Sequence, residues 1–349
     1  MRAAVYDKAG QKLVVKEIPT PRPEGNKAII KVMQVGVCGS DFSAYKKDSR
    51  QDGAILGHEY AGIVEDPGTN PNLKKGQRVT VLPFNEGCGT CAECKRGMIN
   101  LCKDSNFGGQ GQSLGLAYPG AFSEYVWVNG NYVYPLADQV SFEEGALIEP
   151  LAVGLRAVKQ AGVYAGARVL ITGAGFIAVA SAIMARLQGA AKIAVVVRNP
   201  ARAQFMLDKG VVDAIFSTGD EDHQAQMRAF SGGSGFDCAI ECTGAGAMIT
   251  TCSFATKPSG IISLPGVGGY AEPINVAVLC LKEQALIGSI EYTEDEFADT
   301  VEMVNSGRLG VNVLDFVTRH ATLDELEGLF KAKANGDLDE VKILVDPWA

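Results

Sequence analysis

The sequence predicts an α/β protein with two domains, a mostly β domain followed by a doubly wound parallel sheet. The chain of 349 residues exceeds the size at which a single hydrophobic core keeps growing. Residues 1–150 are rich in Gly, Pro and short β-like runs, whereas strands alternate with helices from about Leu151 onwards. A glycine turn, Gly173 to Gly175, directly follows one of those later strands.

The individual elements follow from hydrophobic periodicity and from turn residues. In the first part, β-like runs cover 28–35, 61–65, 78–82 and 123–128. In the second part, strands are predicted at 168–172, 193–197, 214–216, 238–241, 260–264 and 285–288, with helices at 176–188 and 201–209. Amphipathic helices at 296–306 and 323–335 and a strand at 341–345 follow. We therefore place one domain at 1–153 with 295–349 returning to it, and the other at 154–294.

The composition excludes several classes of protein. A net charge of −8 argues against a protein that binds phosphate backbones. The N-terminus lacks the apolar segment of a secretory signal, and the longest uncharged run, 169–185, is slightly too short for a membrane span. Nine cysteines without a signal sequence indicate a reducing compartment. We expect a cytoplasmic protein without nucleic-acid or membrane partners.

Four cysteines are spaced closely enough to hold one metal ion. Cys88, Cys91, Cys94 and Cys102 lie in a loop that also contains three glycines. Four thiolates at this spacing can surround Zn²⁺ tetrahedrally, and a site filled by protein ligands stabilises a fold rather than catalysing a reaction. An iron–sulfur cluster and a nucleic-acid-binding zinc ribbon are the alternatives. The spacing departs from ferredoxin runs, and the acidic net charge disfavours the ribbon.

A second group of candidate ligands lies between the first two predicted strands, 28–35 and 61–65. Cys38 stands in Cys-Gly-Ser-Asp, and His58 with Glu59 in Gly-His-Glu-Tyr-Ala-Gly. These motifs, the four-cysteine loop and the glycine turn occur in the order typical of the zinc-containing medium-chain dehydrogenase/reductase superfamily, which the chain resembles over nearly its whole length. The resemblance implies a GroES-like catalytic domain, a Rossmann cofactor domain, and two Zn²⁺ per chain, one catalytic and one structural.

The resemblance also assigns roles to residues at the catalytic zinc. It implies that Cys38 and His58 bind the ion, and Ile-Glu-Pro, which is similar to the polyol and butanediol dehydrogenase branch, makes Glu149 the third ligand. Glu59 would support the metal or replace a water ligand during turnover. Ser40 would pass on the alcohol proton. The open fourth position lets Zn²⁺ polarise a carbonyl oxygen or stabilise an alkoxide.

The glycine turn predicts a dinucleotide site. Gly173 and Gly175 follow a strand, and Phe176 and Ile177 open a helix, so a pyrophosphate is expected at the helix N-terminus. By resemblance, the nicotinamide lies at two later strand ends. The residues there are Gly266, Val267, Ser289 and Ile290.

The end of the next strand indicates which dinucleotide binds. An NAD site places an acidic residue there to bind the ribose hydroxyls. This chain has Val197, Arg198, Asn199 and, slightly later, Arg202, with no acidic residue in the stretch 193–204. Both arginines can form charge-assisted hydrogen bonds to a 2′-phosphate, which predicts NADP(H) in preference to NAD(H). The alternative is that they are merely solvated residues at a helix start.

These features predict an oxidoreductase that interconverts a secondary alcohol, a polyol or diol, and its ketone. An NAD-linked butanediol- or threonine-type dehydrogenase is the first alternative, and a catalytically silent zinc- and NADPH-binding protein is the second. Sorbitol-type relatives have tyrosine at Ala44 and arginine at Glu291, although Tyr292 is retained, and many relatives have histidine at Ser43. Candidate pocket aromatics, which could equally be core residues, are Phe42, Tyr45 and Phe107. The family suggests a homodimer or homotetramer.

Overall fold

The structure, a computed structural model, describes residues 1–48, 50–83, 87–102, 120–267 and 274–349. Its strands are β1 (Arg2–Asp7), β2 (Lys12–Glu17), β3 (Lys27–Val37), β4 (Glu59–Asp66), β5 (Arg78–Val81), β6 (Tyr125–Asn129), β7 (Val133–Pro135), β8 (Arg168–Thr172), β9 (Lys192–Val197), β10 (Ala214–Ser217), β11 (Phe236–Glu241), β12 (Thr256–Leu264), β13 (Ala285–Gly288), β14 (Arg319–Thr322) and β15 (Ile343–Asp346). Its α-helices are α1 (Gly39–Lys46), α2 (Ala92–Lys95), α3 (Phe142–Ala146), α4 (Ile148–Gln160), α5 (Phe176–Leu187), α6 (Gln204–Asp208), α7 (His223–Phe230), α8 (Gly246–Ala255), α9 (Val276–Lys282), α10 (Glu294–Asn305) and α11 (Leu326–Asn335). Among these helices of the described chain, none has the length and apolar character needed to cross a bilayer.

The chain divides into two compact units. Unit 1 comprises Met1–Glu149, Thr293–Arg308 and Val313–Ala349. Unit 2 comprises Pro150–Tyr292 and Leu309–Asn312.

Unit 1 is built around a mixed sheet, in which β14 pairs parallel with β15 and the other pairs are antiparallel. The order along the sheet is β14, β15, β3, β4, β5 and β7, and β6 also pairs with β3. The long strand β3 is central because it pairs with β15, β4 and β6, and its residues Ile30, Val32 and Val35 are fully buried. Helix α11 covers the same core with Leu326 and Phe330. The C-terminal strand β15 pairs antiparallel with β3, which returns the end of the chain to this unit.

Unit 2 contains a six-stranded parallel sheet in the order β10, β9, β8, β11, β12, β13. The three central strands β8, β9 and β11 are nearly continuous runs of buried residues, as expected for a sheet that is covered on both faces. The order reverses between β8 and β11, the first and fourth strands of the unit. A dinucleotide binds outside the carboxyl ends of the strands at such a point. The predicted α/β fold class is confirmed.

Several elements escaped the sequence analysis. The hairpin β1–β2 and the helices α7 and α9 are absent from the predicted elements. Helix α10 begins two residues before the predicted start, because Thr293 caps it: the Thr293 hydroxyl accepts a hydrogen bond from the Glu296 amide (3.2 Å), and the Glu296 carboxylate accepts one from the Thr293 amide (2.8 Å). The predicted helix at 323–335 starts instead with a 3₁₀ turn, Leu323–Glu325, before α11.

Candidate active site

The structure brings Cys38, His58 and Glu59 together in unit 1. Cys38 follows β3 and caps α1, whereas Glu59 is the first residue of β4. The two strands pair antiparallel with Gly36 opposite Glu59, so residues about 20 positions apart meet at one end of the sheet. One ligand atom from each side chain lies within 4.8 Å of the others. A thiol, an imidazole and a carboxylate at this separation are suitable for Zn²⁺.

The imidazole of His58 is oriented by a buried carboxylate. Asp41 is 2% exposed, and its Oδ1 lies 3.6 Å from His58 Nδ1. Its Oδ2 accepts a hydrogen bond from the Cys38 amide (3.0 Å), which ties both candidate ligands to α1. Burial by itself lowers the pKa of His58, but the charges of Asp41 and Cys38 outweigh it and raise that pKa well above its usual value. A carboxylate at Nδ1 leaves Nε2 as the nitrogen for a metal.

Glu59 is held by a cation that the sequence analysis missed. The Glu59 carboxylate forms a buried ion pair with Lys342, whose side chain is 3% exposed and also donates to the Val37 carbonyl oxygen (3.3 Å). Only one oxygen is used: within the described residues, Glu59 Oε1 is buried without a hydrogen-bond partner. Gly36 makes room for this side chain, since a Cβ there would lie 2.1 Å from Glu59 Oε2. An orphaned buried carboxylate oxygen beside a thiol and an imidazole fits a metal ion.

Glu149 does not belong to this three-residue group of the described chain. It is buried near the start of α4, the last residue of unit 1. Its assignment as a zinc ligand stays a prediction. Ser40 lies at the group, with its Oγ 3.5 Å from His58 Nε2. Ser43 instead donates to the Gly39 carbonyl oxygen of its own helix (3.0 Å).

The predicted pocket aromatics of unit 1 pack against its hydrophobic core. The rings of Phe42 and Tyr45 contact Phe330, with centroids 4.7 and 5.3 Å away, and this favours the core reading of both residues. Phe107 lies outside the described residues. In unit 2, Tyr292 is fully buried, and Glu291 is nearly buried in a left-handed conformation (φ 53°).

The four cysteines of the loop also converge, with their sulfur atoms within 4.8 Å of one another. Backbone amides donate to the sulfurs: Cys91 to Cys88 (3.3 Å), Cys94 to Cys91 (3.4 Å) and Cys88 to Cys102 (3.3 Å). The Thr90 hydroxyl, together with backbone amides, lowers the pKa of Cys88 to about 6, which favours the thiolate that a metal requires. Gly87 is needed for this packing, since a Cβ there would lie 2.6 Å from Cys94 Sγ.

The predicted cofactor residues all lie at one edge of the unit 2 sheet. Gly173, in a left-handed conformation (φ 87°), and Gly175, which caps α5, follow β8 ahead of Phe176 and Ile177. The remaining candidates lie at the ends of β9, β12 and β13. They are Val197, the last residue of β9, with Arg198, Asn199 and Arg202 after it, Gly266 and Val267 after β12, and Ser289 and Ile290 after β13. Because parallel strands end at a common edge, residues more than 100 positions apart share this surface.

The segment after β9 presents both arginines to solvent. Asn199 caps a 3₁₀ turn, Pro200–Ala203, with its Oδ1 accepting from the Ala201 amide (3.1 Å). Arg198 precedes this turn and Arg202 lies within it, and both are exposed. Two exposed guanidinium groups therefore lie at the carboxyl end of the second strand of unit 2, and such groups bind anionic ligands.

Comparison with known proteins agrees with this architecture. Residues 24–138 match the alcohol dehydrogenase GroES-like domain family and residues 177–306 the zinc-binding dehydrogenase family. The chain is 31% identical over 359 residues to sorbitol dehydrogenase of Gallus gallus, covering 99% of this chain and 96% of the relative. It is 28% identical over 372 residues to (R,R)-butanediol dehydrogenase of Neisseria gonorrhoeae, covering 99% of each.

A solved structure shows the same fold over both units. A putative zinc-binding dehydrogenase from Sinorhizobium meliloti bound to NADP has a TM-score of 0.87 and 25% identity, with 99% of each chain covered. The GroES-like and Rossmann predictions are thereby confirmed. The chain belongs to the zinc-dependent medium-chain dehydrogenase/reductase superfamily and is an NAD(P)-linked dehydrogenase of the alcohol and polyol type.

Proposed function

We propose that this protein interconverts a secondary alcohol of the polyol or diol class and its ketone, with NADP(H) as the hydride partner. The observation that carries the proposal is the group of Cys38, His58 and Glu59 in unit 1, whose donor atoms lie within 4.8 Å of one another. Relatives named sorbitol and butanediol dehydrogenases, 28–31% identical, support the substrate class.

The residues at this group have separate tasks in the proposed reaction. Cys38, His58 and Glu149 hold the catalytic zinc, and Glu59 offers its unpaired oxygen from the buried ion pair with Lys342. When bound, the zinc ion supplies a Lewis acid that stabilises negative charge on the substrate oxygen. Ser40 Oγ accepts the alcohol proton as it gives up its own hydroxyl proton, so the serine relays the proton and stays neutral. Because the Ser43 hydroxyl donates to the Gly39 carbonyl oxygen, the proton leaves by another route than through residue 43.

The loop cysteines hold the second zinc of each chain. All four ligand positions are sulfur atoms of the protein, so no place is left for a substrate, and the ion stabilises the lobe. We therefore propose two zinc ions per chain with different tasks.

The proposal is tested by a substrate screen with the zinc-loaded protein. Sorbitol, (R,R)-butanediol, L-threonine and their keto products are offered with each nicotinamide cofactor, and reduced cofactor is followed by its absorbance. We expect turnover of at least one polyol or diol. Turnover of threonine alone would favour the threonine-type alternative, and no turnover with any substrate would favour the catalytically silent protein.

The cofactor preference depends on Arg198 and Arg202. We expect the parent enzyme to have the higher kcat/KM with NADP⁺, and the double change Arg198→Ala, Arg202→Ala to lower it about 10- to 100-fold, because charge-assisted bonds to the 2′-phosphate are lost. The kcat/KM with NAD⁺, which lacks that phosphate, should change less than about twofold. Steady-state kinetics with both cofactors measure this.

The matched control is Arg308→Ala, which removes an arginine with a 60% exposed side chain from unit 1. It should change neither the kcat/KM with NADP⁺ nor the kcat/KM with NAD⁺. An equal or better kcat/KM with NAD⁺ in the parent would show instead that the two arginines of unit 2 are only solvated surface residues.

We further propose that two copies of the chain associate through the β13 edge of unit 2. The neighbouring helix α9 has the sequence VAVLCLK without a buried residue, and Leu281 and Val276 are 86% and 59% exposed. A helix that is apolar on all sides is normally covered. β13 ends the sheet, so a second β13 can pair with it antiparallel about a two-fold axis.

Light scattering after size-exclusion chromatography tests this interface. Leu281→Glu should convert the dimer to monomer, because it places two carboxylates into an apolar contact. The control Leu207→Glu, at a leucine on α6 that is 37% exposed, should leave the mass unchanged. A monomeric parent would refute the proposed contact.

A further inference from the structure

Glu241, the last residue of β11, is a fully buried carboxylate that the proposed reaction does not use. Oε1 accepts hydrogen bonds from the Thr172 hydroxyl (2.9 Å), the Thr243 amide (2.8 Å) and the Thr243 hydroxyl. Oε2 accepts one from the Gly244 amide (2.9 Å). All these donors are neutral, and in the described part of the chain no lysine or arginine pairs with Glu241. A buried charge is tolerated only when its hydrogen bonds are satisfied, so this cluster is a specific arrangement.

The cluster lies where the strand order reverses. Glu241 of β11 pairs in register with Thr172 of β8, and these are the final residues of the two strands. The turn after β8 contains Gly173 and Gly175, the predicted pyrophosphate site, and the turn after β11 lies directly beside it. The Thr172 hydroxyl accepts from the Cys242 amide (3.0 Å) and donates to Glu241, so the two turns are joined directly.

A third strand end is packed against the same carboxylate. The Gly266 amide after β12 donates to the Glu241 carbonyl oxygen (3.0 Å), and a Cβ at residue 266 would lie 2.4 Å from the Gly244 nitrogen and 2.9 Å from Glu241 Oε2. On the other side, a Cβ at Gly173 would lie 3.0 Å from Thr243 Cγ2. The ends of β8, β11 and β12 therefore leave little free space between them, and a shift of the β11 turn would move both neighbours.

We propose that Glu241 is a positioning residue for the nicotinamide cofactor. Through the amides of Thr243 and Gly244 and the hydroxyl of Thr172, it sets the separation of the turns after β8 and β11. It acts through these turns and does not touch the reacting atoms. The inference rests on the proposed cofactor site at Gly173 to Gly175.

Two substitutions test the inference. Glu241→Gln places an NH₂ group where an acceptor must face backbone amides, and Thr172→Val removes the hydroxyl that joins the turns at nearly constant volume. We expect each to raise the dissociation constant of the preferred cofactor about tenfold or more, measured by nicotinamide fluorescence with the zinc-loaded enzyme and no alcohol. The KM for the cofactor should rise, while the KM for the alcohol and the zinc content stay unchanged.

The control is Asp237→Asn, the same chemical change near the other end of β11. Asp237 binds Arg168 and Lys257, both at 2.8 Å, and lies four residues from Glu241, about 13 Å along the strand. It should lower the melting temperature at least as much as Glu241→Gln but change cofactor affinity less than about twofold.

Two results would overturn the inference. One is cofactor affinity within twofold of the parent in both Glu241→Gln and Thr172→Val. The other is a loss of cofactor affinity in Asp237→Asn equal to that in Glu241→Gln, which would mean that a general destabilisation of unit 2 is responsible. A parent that binds neither NADPH nor NADH would instead refute the cofactor site itself, together with the inference resting on it.

Discussion

Replacing Cys38 with serine is expected to lower kcat/KM by at least about 1,000-fold and to reduce the bound zinc from two ions per chain to one. Serine cannot supply the thiolate that binds zinc most strongly, and only His58 and carboxylates would remain at the site. The melting temperature should change little, because the sulfur atoms of the loop cluster are untouched. Zinc content by atomic emission and steady-state kinetics measure both effects.

Two further cysteine changes separate the sites. Cys280→Ser, at a cysteine of unit 2 that belongs to neither candidate metal group, should leave the zinc content unchanged. Cys94→Ser should also remove one zinc ion, but it should lower the melting temperature, because the zinc ion proposed for the loop would stabilise the fold. A Cys38→Ser enzyme that keeps more than about a tenth of the parental kcat/KM would contradict the assignment of Cys38 as a ligand of the catalytic metal.

Replacing Lys342 with methionine is expected to lower the free energy of unfolding of the metal-free protein by about 3–5 kcal/mol. The change removes the cation from an ion pair in which the side chains are 3% and 1% exposed, and leaves the Glu59 carboxylate buried without it. Zinc at the neighbouring site would partly replace the lost charge, so the destabilisation should be smaller in the zinc-loaded enzyme. Denaturant unfolding with and without zinc measures the difference.

Two comparisons make the Lys342 result specific. Lys331→Met, on the exposed side of α11, breaks an ion pair with Glu327 whose lysine is 63% exposed, and it should cost less than about 1 kcal/mol. The double change Lys342→Met, Glu59→Gln should recover part of the stability, because no buried charge remains. An equal loss of unfolding free energy in Lys342→Met and Lys331→Met would show that the buried ion pair stabilises the protein no more than the exposed one.

Short-range patterns identified most of the chemistry. The cysteines of the loop lie within 15 residues, so their spacing alone predicts a common metal. The glycine turn is recognisable because a strand precedes it and a helix follows it. The sequence alone does not decide whether Phe42 and Tyr45 line a pocket or pack in the core, since aromatic residues suit both places equally. Only their ring contacts with Phe330 favoured the core.

By itself, the sequence determined the fold class, the family and the order of the metal and cofactor motifs, because each rests on residue types at short spacing. The tertiary structure decided which distant residues complete these sites. Lys342 meets Glu59 across 283 residues only because β15 and β4 both pair with β3. Glu241 meets Thr172 across 69 residues only because β11 lies beside β8. Such contacts depend on strand order and register, which local periodicity does not encode.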